Sequence, residues 1–468
     1  MHKMNDYDKF IQNKSIKVDF SGFDIGQNEL NPMLFDYQKE IVQRSLKSGK
    51  YALFMDTGLG KSICQLEFGY QCLKRDNKPI LFVAPLAVVF QIQKEALKFG
   101  YELEFIKNSV DIENKMYITN YDSLKKINTD DFNGIILDES SILKNYTGKI
   151  KKEIISNFKQ TKYKLACTAT PSPNDLLELG NHSEFLDVME SYEMIMRWFI
   201  NDTMNAGGYR LKKHGQETYW EWISSWADCI GTPSDLGYDG SNHILPKLNE
   251  NFHYIHYDDV KYLDGDSLFS FSQTNATTIS RNKRDTIELR AEKALELINE
   301  ESHLFWVNTN NEADVLKKMA NAKGIDIIEV RGSDSDEVKA NRLNDFADGK
   351  IKYLITKSSI AGMGLNLQSH QNMTFLGLDY SYERYYQAVR RMWRFGQKKE
   401  VNVNIIIADN EKSILQNIYR KKDQHEKMKK SMVKSISNSK VSDELKSVVN
   451  KEFIMPSFIK KDSKCTNI

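Results

Sequence analysis

Phe54 to Ser62 read F-M-D-T-G-L-G-K-S, and Gln387 to Gln397, far along the chain, read Q-A-V-R-R-M-W-R-F-G-Q. In the first segment Gly58 and Gly60 let a backbone wrap an anion, flanked by Thr57 and Leu59. Lys61 can neutralise β- and γ-phosphate charge, and Ser62 can ligate magnesium. In the second, a helix turning about 100° per residue brings Gln387, Arg391 and Arg394 within about 60° of one face. A phosphate loop alone says nucleotide; arginines delivered from elsewhere in the chain say motor. Between them, Asp138-Glu139-Ser140-Ser141 follows the apolar run Gly134 to Leu137. Asp138 can hold magnesium through its water shell, and Glu139 can orient and deprotonate the water that attacks a γ-phosphate. Upstream, the Gln38 amide can donate and accept at once, matching the N6 donor and N7 acceptor of adenine, which would select ATP. Each signal has a plainer alternative when isolated: a glycine-rich turn, since Met55 stands where the strict pattern needs a glycine, a solvated acidic turn, or a surface glutamine.

Elements must bring these residues together. Tyr51 to Met55, Ile80 to Ala84, Met116 to Thr119, Gly134 to Leu137 and Lys164 to Cys167 are short continuous apolar runs, as expected for strands buried on both faces of a parallel sheet. Helical patterns such as Ala87 to Phe99 fill the gaps. A second block repeats the plan. Its strands are expected at Leu304 to Val307, Ile327 to Val330, Tyr353 to Thr356, Thr374 to Leu378 and Val401 to Ile407, its helices at Asn311 to Ala322, Ser335 to Phe346 and Tyr382 to Arg394. Two α/β domains follow, with ligands expected at the carboxyl edges of the strands. Between them, roughly Asp175 to Asp285 holds four of the six tryptophans and reads as a largely helical insertion plus connector.

The 468 residues carry 65 Lys and Arg against 64 Asp and Glu, so a net charge of +1 advertises no polyanion-binding surface and any nucleic-acid contact must be local. The five cysteines form no C-x-x-C pair, which argues against a zinc ribbon or a disulfide framework and suits a reducing cytosol. No long apolar run or signal-like N-terminus is present, so a cytoplasmic location is expected.

The ordered set Tyr37-Gln38, D-T-G-L-G-K-S, A-P-L from Ala84, T-N-Y from Thr119, D-E-S-S, T-A-T-P from Thr168, K-S-S-I-A-G-M-G-L-N from Lys357 and Q-A-V-R-R-M-W-R-F-G-Q resembles superfamily-two helicases of the Swi/Snf-type branch over roughly residues 30 to 420. The tryptophan-rich segment, P-S-D-L-G-Y from Pro233 and R-G-S-D from Arg331 are similar to compact helicases of bacteriophages and prophages. The resemblance implies two tandem RecA-like domains with ATP in the cleft between them, bounded here as extension 1–30, first domain 31–180, insertion 181–285, second domain 286–425 and basic polar tail 426–468. It implies Arg391 and Arg394 as arginine fingers, with Gln387 beside them, and coupling of the ATP site to DNA through Ser141, Thr168 and Thr170. Ser141 stands where many relatives have histidine, and Arg390 departs from the acidic residue common there; a contact to DNA or to solvent is open for it. Pro85, Thr119, Asn120, Ser359, Gly362, Gly364 and Asn366 match positions that touch a nucleic-acid backbone, which implies sequence-independent, salt-sensitive binding of DNA.

The insertion's Trp220, Trp222 and Trp226 read as its own core, with a stacking platform for bases as the alternative. Arg420 to Lys434 shows little apolar face and reads as a solvated helix, with a DNA-tracking arm as the alternative. His253 and His256 lack a ligand set and read as structural. The expected activity is an ATP- and magnesium-dependent DNA translocase or helicase serving phage or prophage replication or recombination. The alternatives are the motor of a restriction or defence assembly and a nucleotide-switched clamp with little turnover.

Overall fold

The computed structural model describes residues 21–109, 111–144, 148–202, 208–256, 284–361, 366–408 and 411–440. The first domain is a sheet of seven parallel strands: β1 (Lys50–Met55), β2 (Ile80–Ala84), β3 (Glu104–Phe105), β4 (Met116–Asn120), β5 (Gly134–Asp138), β6 (Tyr163–Cys167) and, after the antiparallel pair β7 (Phe199–Asp202) and β8 (Gly208–Leu211), β9 (Ala227–Ile230). Their order is β3-β4-β2-β5-β6-β1-β9. All residues of β2, β4, β5, β6 and β9 are buried, as the uninterrupted apolar runs in most of them require. The helices are α1 (Asp36–Ser48), α2 (Lys61–Asp76), α3 (Leu86–Lys98), α4 (Lys149–Asn157), α5 (Glu178–Phe185), α6 (Ser191–Trp198) and α7 (Gln216–Ser224). On α1 the buried Ile41, Val42, Ser45 and Leu46 recur at helical spacing, and Gly49 at φ 77° ends the helix. On α2 the packing is closest at Gly69, where a Cβ would lie 2.7 Å from the Phe82 ring.

The second domain is a six-stranded parallel sheet of order β10-β15-β14-β11-β13-β12, built from β10 (Leu248–Ile255), β11 (His303–Val307), β12 (Ile328–Val330), β13 (Tyr353–Lys357), β14 (Asn372–Phe375) and β15 (Val401–Ala408). Its helices are α8 (Ile287–Glu296), α9 (Asn310–Ala322), α10 (Asp336–Ala347), the single turn α11 (Ser358–Ala361), α12 (Tyr382–Val389) and α13 (Lys412–Lys440). A capping box starts α9: Thr309 Oγ1 accepts from Glu312 N at 3.2 Å, and Glu312 Oε2 accepts from Thr309 N at 3.1 Å. Arg290 of α8 is fully buried and donates to the Leu376 and Ile406 carbonyls and to Glu411 at 2.6 Å, tying α8, β15 and the start of α13 together.

Three expectations change. The stretch between the two blocks contains helices, but it also supplies an edge strand to each sheet: β9 pairs with β1, and β10 pairs with β15 along eight residues. Trp222 and Trp226 do not form a separate core; they pack in the first domain's core, with the Trp226 ring edge-on to Phe54 of β1 at 6.2 Å. The basic segment Arg420 to Lys434 is not solvated on all sides. From Lys412 to Lys440 it is one helix, so a boundary at 425/426 cuts through it. Ile414 and Ile418 are buried in the second domain's core, Met428 and Met432 in the first domain's. The apolar face is real but sparse, spaced by polar residues that are themselves buried, such as His425 at 2% exposure.

Candidate active site between the two sheets

The loop after β1 runs from Asp56 to Gly60 and leads into α2, so the first amides of a 16-residue helix, with Lys61 and Ser62 at its start, follow directly on the loop. Gly58 and Gly60 have φ of 88° and 77°, conformations an L side chain adopts only with strain. The Tyr37 hydroxyl and the Gln38 amide both donate to the Leu59 carbonyl at 2.9 Å, while Gln38 Oε1 accepts from Phe35 N at 2.9 Å. Gln38 thus grips the loop, and reading adenine would require it to exchange these bonds. Tyr238 and His243 lie against the neighbouring Tyr37 ring, and His243 stacks on Phe395 of the second domain at 4.5 Å.

β5 ends at Asp138, and Glu139 follows it. Asp138 accepts from Gln65 Nε2 at 2.8 Å, and burial, the largest effect, pushes its carboxyl up to about 6 against the pull of Lys61. Burial also opposes the charge of Lys61, yet the Glu139 and Asp138 carboxylates more than offset this and raise its pKa above the usual lysine value. Glu139 has φ 52°, a left-handed conformation for a non-glycine residue, and accepts from Thr168 Oγ1 at 3.3 Å. Thr168 Oγ1 in turn accepts from Thr170 N at 3.1 Å. The chain of contacts from the acidic pair therefore runs through Glu139 to Thr168 and Thr170. Ser141 is buried beside it, and the neighbouring Ser140 hydroxyl pairs with His182 at 3.1 Å.

From the second domain, α12 stops at Val389, so the single helical face expected to carry Gln387, Arg391 and Arg394 does not continue through the arginines. Bends replace it. They are held by Leu367 N on the Arg391 carbonyl at 2.9 Å, Gln397 Nε2 on the His370 carbonyl at 2.7 Å, and Trp393 Nε1 on the Pro246 carbonyl at 2.7 Å. Gln387 is half-buried on α12. Arg391 is buried, and its pKa falls to about 10 through burial and the nearby Arg394, with Glu139 and Asp138 acting in the opposite direction. Burial lowers Arg394 as well. Lys61 from one sheet and Arg391 from the other thus act on the same two carboxylates. The closeness is steric too: a Cβ on Gly58 would lie 2.6 Å from the Phe395 Cβ.

Arg390 does not face solvent. It is 5% exposed and ion-paired to Asp56 of the phosphate loop. The Tyr386 hydroxyl donates to the same carboxylate, and Lys429 of α13 reaches it at 2.9 Å. The sequence reading missed Asp56, Tyr386, Phe395 and Lys429. The signal for Asp56 was an acidic residue inside a loop meant for anions; the others gave none.

The outer edge is less exposed than expected. Thr119 is fully buried and donates to the Ile106 carbonyl at 2.8 Å, and Asn120, 6% exposed, accepts from Ser123 N at 2.8 Å, so neither side chain points outward. Pro85 is half-buried; Ser359 and Asn366 are exposed. Gly362 and Gly364 lie outside the described residues. Cys64, Cys72, Cys167 and Cys229 are buried free thiols, and among the described residues no group of three or more His, Cys, Asp or Glu could hold a metal ion. None of the described helices is long and apolar enough to cross a membrane.

Residues 31–173 match the family model described as Type III restriction enzyme, res subunit, and residues 289–396 the Helicase conserved C-terminal domain. The chain is 24% identical to an uncharacterized ATP-dependent helicase of Mycoplasma pneumoniae over 81% of its own length and 40% of that protein's. It is 22% identical to the nuclear protein STH1/NPS1 of Saccharomyces cerevisiae, over 79% of this chain and 32% of that one. The chain therefore spans well under half of these relatives. The Sulfolobus solfataricus SWI2/SNF2 ATPase core in complex with dsDNA aligns at 17% identity and a TM-score of 0.41, covering 90% of this chain and 98% of that one. The two domain matches fall one on each sheet's domain and in the order that the superfamily-two resemblance implies.

Proposed function

We propose that the protein, as a superfamily-two chain of Snf2-like type, hydrolyses ATP in the cleft between its sheets and uses the cycle to move along DNA. One observation supports this: Lys61 and Arg391, from different domains, both feel the charge of Asp138 and Glu139, and Phe395 of the second domain lies against Gly58 of the loop. The loop amides and Lys61 hold the triphosphate, and Gln38 with the aromatic residues around it receives the base. Ser62 and Asp138 would hold magnesium, and the fit is chemical: Asp138 is a buried carboxylate pushed up by desolvation, a site a divalent cation suits. The ion would offset charge on the phosphate oxygens. Glu139, fixed by Thr168, orients the attacking water and accepts its proton. Arg391 and Arg394 stabilise the charge of the transition state, a contribution of about 10³ to 10⁵ in rate in other P-loop enzymes. Because those arginines come from the second domain, turnover requires a closed cleft. Closing and reopening shift the two domains' grips on the polymer by turns.

The polymer proposed is DNA, bound through its backbone and without sequence preference, with Ser359 and Asn366 the exposed candidates for contact. The resemblance to compact phage helicases points to phage or prophage replication or recombination as the setting, in a bacterial cytoplasm. The test is ATP turnover with no polymer, single-stranded DNA, duplex DNA, forks and RNA. Stimulation by DNA, lost in Lys61→Ala, is expected; turnover indifferent to every polymer would remove the translocase reading. A second reading, the motor of a restriction or defence assembly, is favoured by the description of the family model matched at residues 31–173. Co-purification of a nuclease or methyltransferase subunit with the tagged chain would select it.

A further inference from the structure

Asp56 takes no part in the chemistry derived above, yet its carboxylate is the most heavily contacted group on the phosphate loop. Oδ1 accepts from Thr57 N at 2.7 Å, capping the turn into the loop, and also meets Arg390 and the Tyr386 hydroxyl; Oδ2 takes Lys429 Nζ at 2.9 Å. From behind, the Asp56 amide donates to the Ile230 carbonyl of β9 at 2.9 Å. Three parts of the chain therefore close on one buried anion. The two cations are held from the side: Arg390 lies 5.0 Å from the Trp393 ring and Lys429 5.7 Å from that of Tyr386. Lys429 cannot be a loose surface charge, because its helix is pinned on either side. Met428 and Met432 are buried in the first domain, and Ser435 pairs with Ser224 of α7 at 3.1 Å.

We propose that Lys429 and Arg390 are positioning residues for nucleotide binding: acting through Asp56, they set the backbone of Thr57 to Gly60 in its anion-cradling form. The C-terminal helix thereby determines how tightly the loop takes a nucleoside triphosphate. This rests on the reading of the loop as a triphosphate site. A buried carboxylate stripped of its cations is costly. It would turn toward water and release the Thr57 N–H it caps, leaving the loop to pay its ordering entropy when the phosphates arrive.

The test is the dissociation constant of a slowly hydrolysed ATP analogue with magnesium, measured without DNA on the full chain. Lys429→Met should weaken binding by about 5- to 150-fold, the span of an ordinary coupling between sites. Lys429→Arg, which keeps the charge, should recover most of the loss. In an Asp56→Asn background, where Lys429 no longer has a carboxylate to act through, Lys429→Met should not weaken binding further. A folded Lys429→Met chain that melts earlier but binds as wild type does, or losses that simply add in the double variant, overturns the proposal. If Lys429→Met does not fold alone, the comparison of Asp56→Asn with the double variant decides it. A wild-type chain that fails to take the analogue removes the triphosphate-site reading itself, whereas equal binding by wild type and variant removes only the positioning role.

Discussion

Gly58→Ala tests cleft closure more sharply than loss of an arginine, because the structure supplies its own control. Gly58 and Gly100 have nearly the same positive φ, 88° and 81°, so an alanine meets a similar left-handed strain at either, of about 1–2 kcal/mol. At Gly100 nothing lies within 4 Å of the added Cβ. At Gly58 the three nearest atoms all belong to Phe395, with its Cβ at 2.6 Å and its backbone nitrogen at 2.9 Å, and backbone cannot swing aside as a long side chain can. The methyl therefore pushes on the second domain, not on the first. Local strain alone would weaken triphosphate binding by about 5- to 30-fold, from that 1–2 kcal/mol at 1.4 kcal/mol per decade. Holding Phe395 away also withdraws Arg391 and Arg394, whose kind of contribution is about 10³ to 10⁵ in rate. Steady-state turnover with saturating ATP and duplex DNA should then fall by about three decades or more in Gly58→Ala and stay near wild type in Gly100→Ala, with both chains folded. Turnover in Gly58→Ala within tenfold of the Gly100→Ala value would refute the claim that the working state brings Phe395 onto the loop.

Glu139→Gln should bind ATP and lose nearly all turnover, and robust hydrolysis by that variant would discard Glu139 as the water-activating residue. Burial raises Asp138 to about 6 in the free protein, above its unfolded value, so its contribution to stability is full below about pH 4 and is lost as pH rises through about 6. Asp138→Asn should remove that slope from a urea-midpoint profile. For the same reason magnesium-dependent affinity for the analogue should weaken as pH falls through about 6, read by titration between pH 7.5 and pH 5. Arg290→Met leaves the Glu411 carboxylate, 1% exposed, without its cation, and should cost about 3–5 kcal/mol in the second domain. The pair Arg290→Met and Glu411→Leu should recover much of this in denaturant unfolding.

The parts of the fold that were legible in the sequence are those where one residue type settles the matter. β2 is Ile-Leu-Phe-Val-Ala, fully buried, and no other element suits that run. β9 was invisible because its four buried residues, Ala-Asp-Cys-Ile, include Asp228, which is 1% exposed and ion-paired to Arg44 at 3.1 Å. β10 contains Asn249, Glu250, Asn251 and His253, polar residues that an edge strand accommodates by pairing them with partners such as Asn402 and Asn404 across the register. The acidic pair and the lysine loop could be placed because each follows an apolar strand at its carboxyl edge. The geometry of Arg391 and Arg394 could not, since it depends on where α12 stops, and no proline or glycine between Tyr382 and Arg394 marks that point. Lys429 was hidden for a different reason: on a helix rich in lysine, the half-buried one that reaches Asp56 is distinguished only by what it meets.

Among the described residues, two stretches of chain cross between the sheets: the 231–247 segment between β9 and β10, and α13 where it leaves the second domain and beds into the first. A body tied to another at one point can swivel freely, but one tied at two separated points keeps a single easy rotation, about the line through both. For this molecule that line fixes which way the cleft can gape, so successive strokes would follow one arc, and directionality would be set by the two moorings before any polymer is bound.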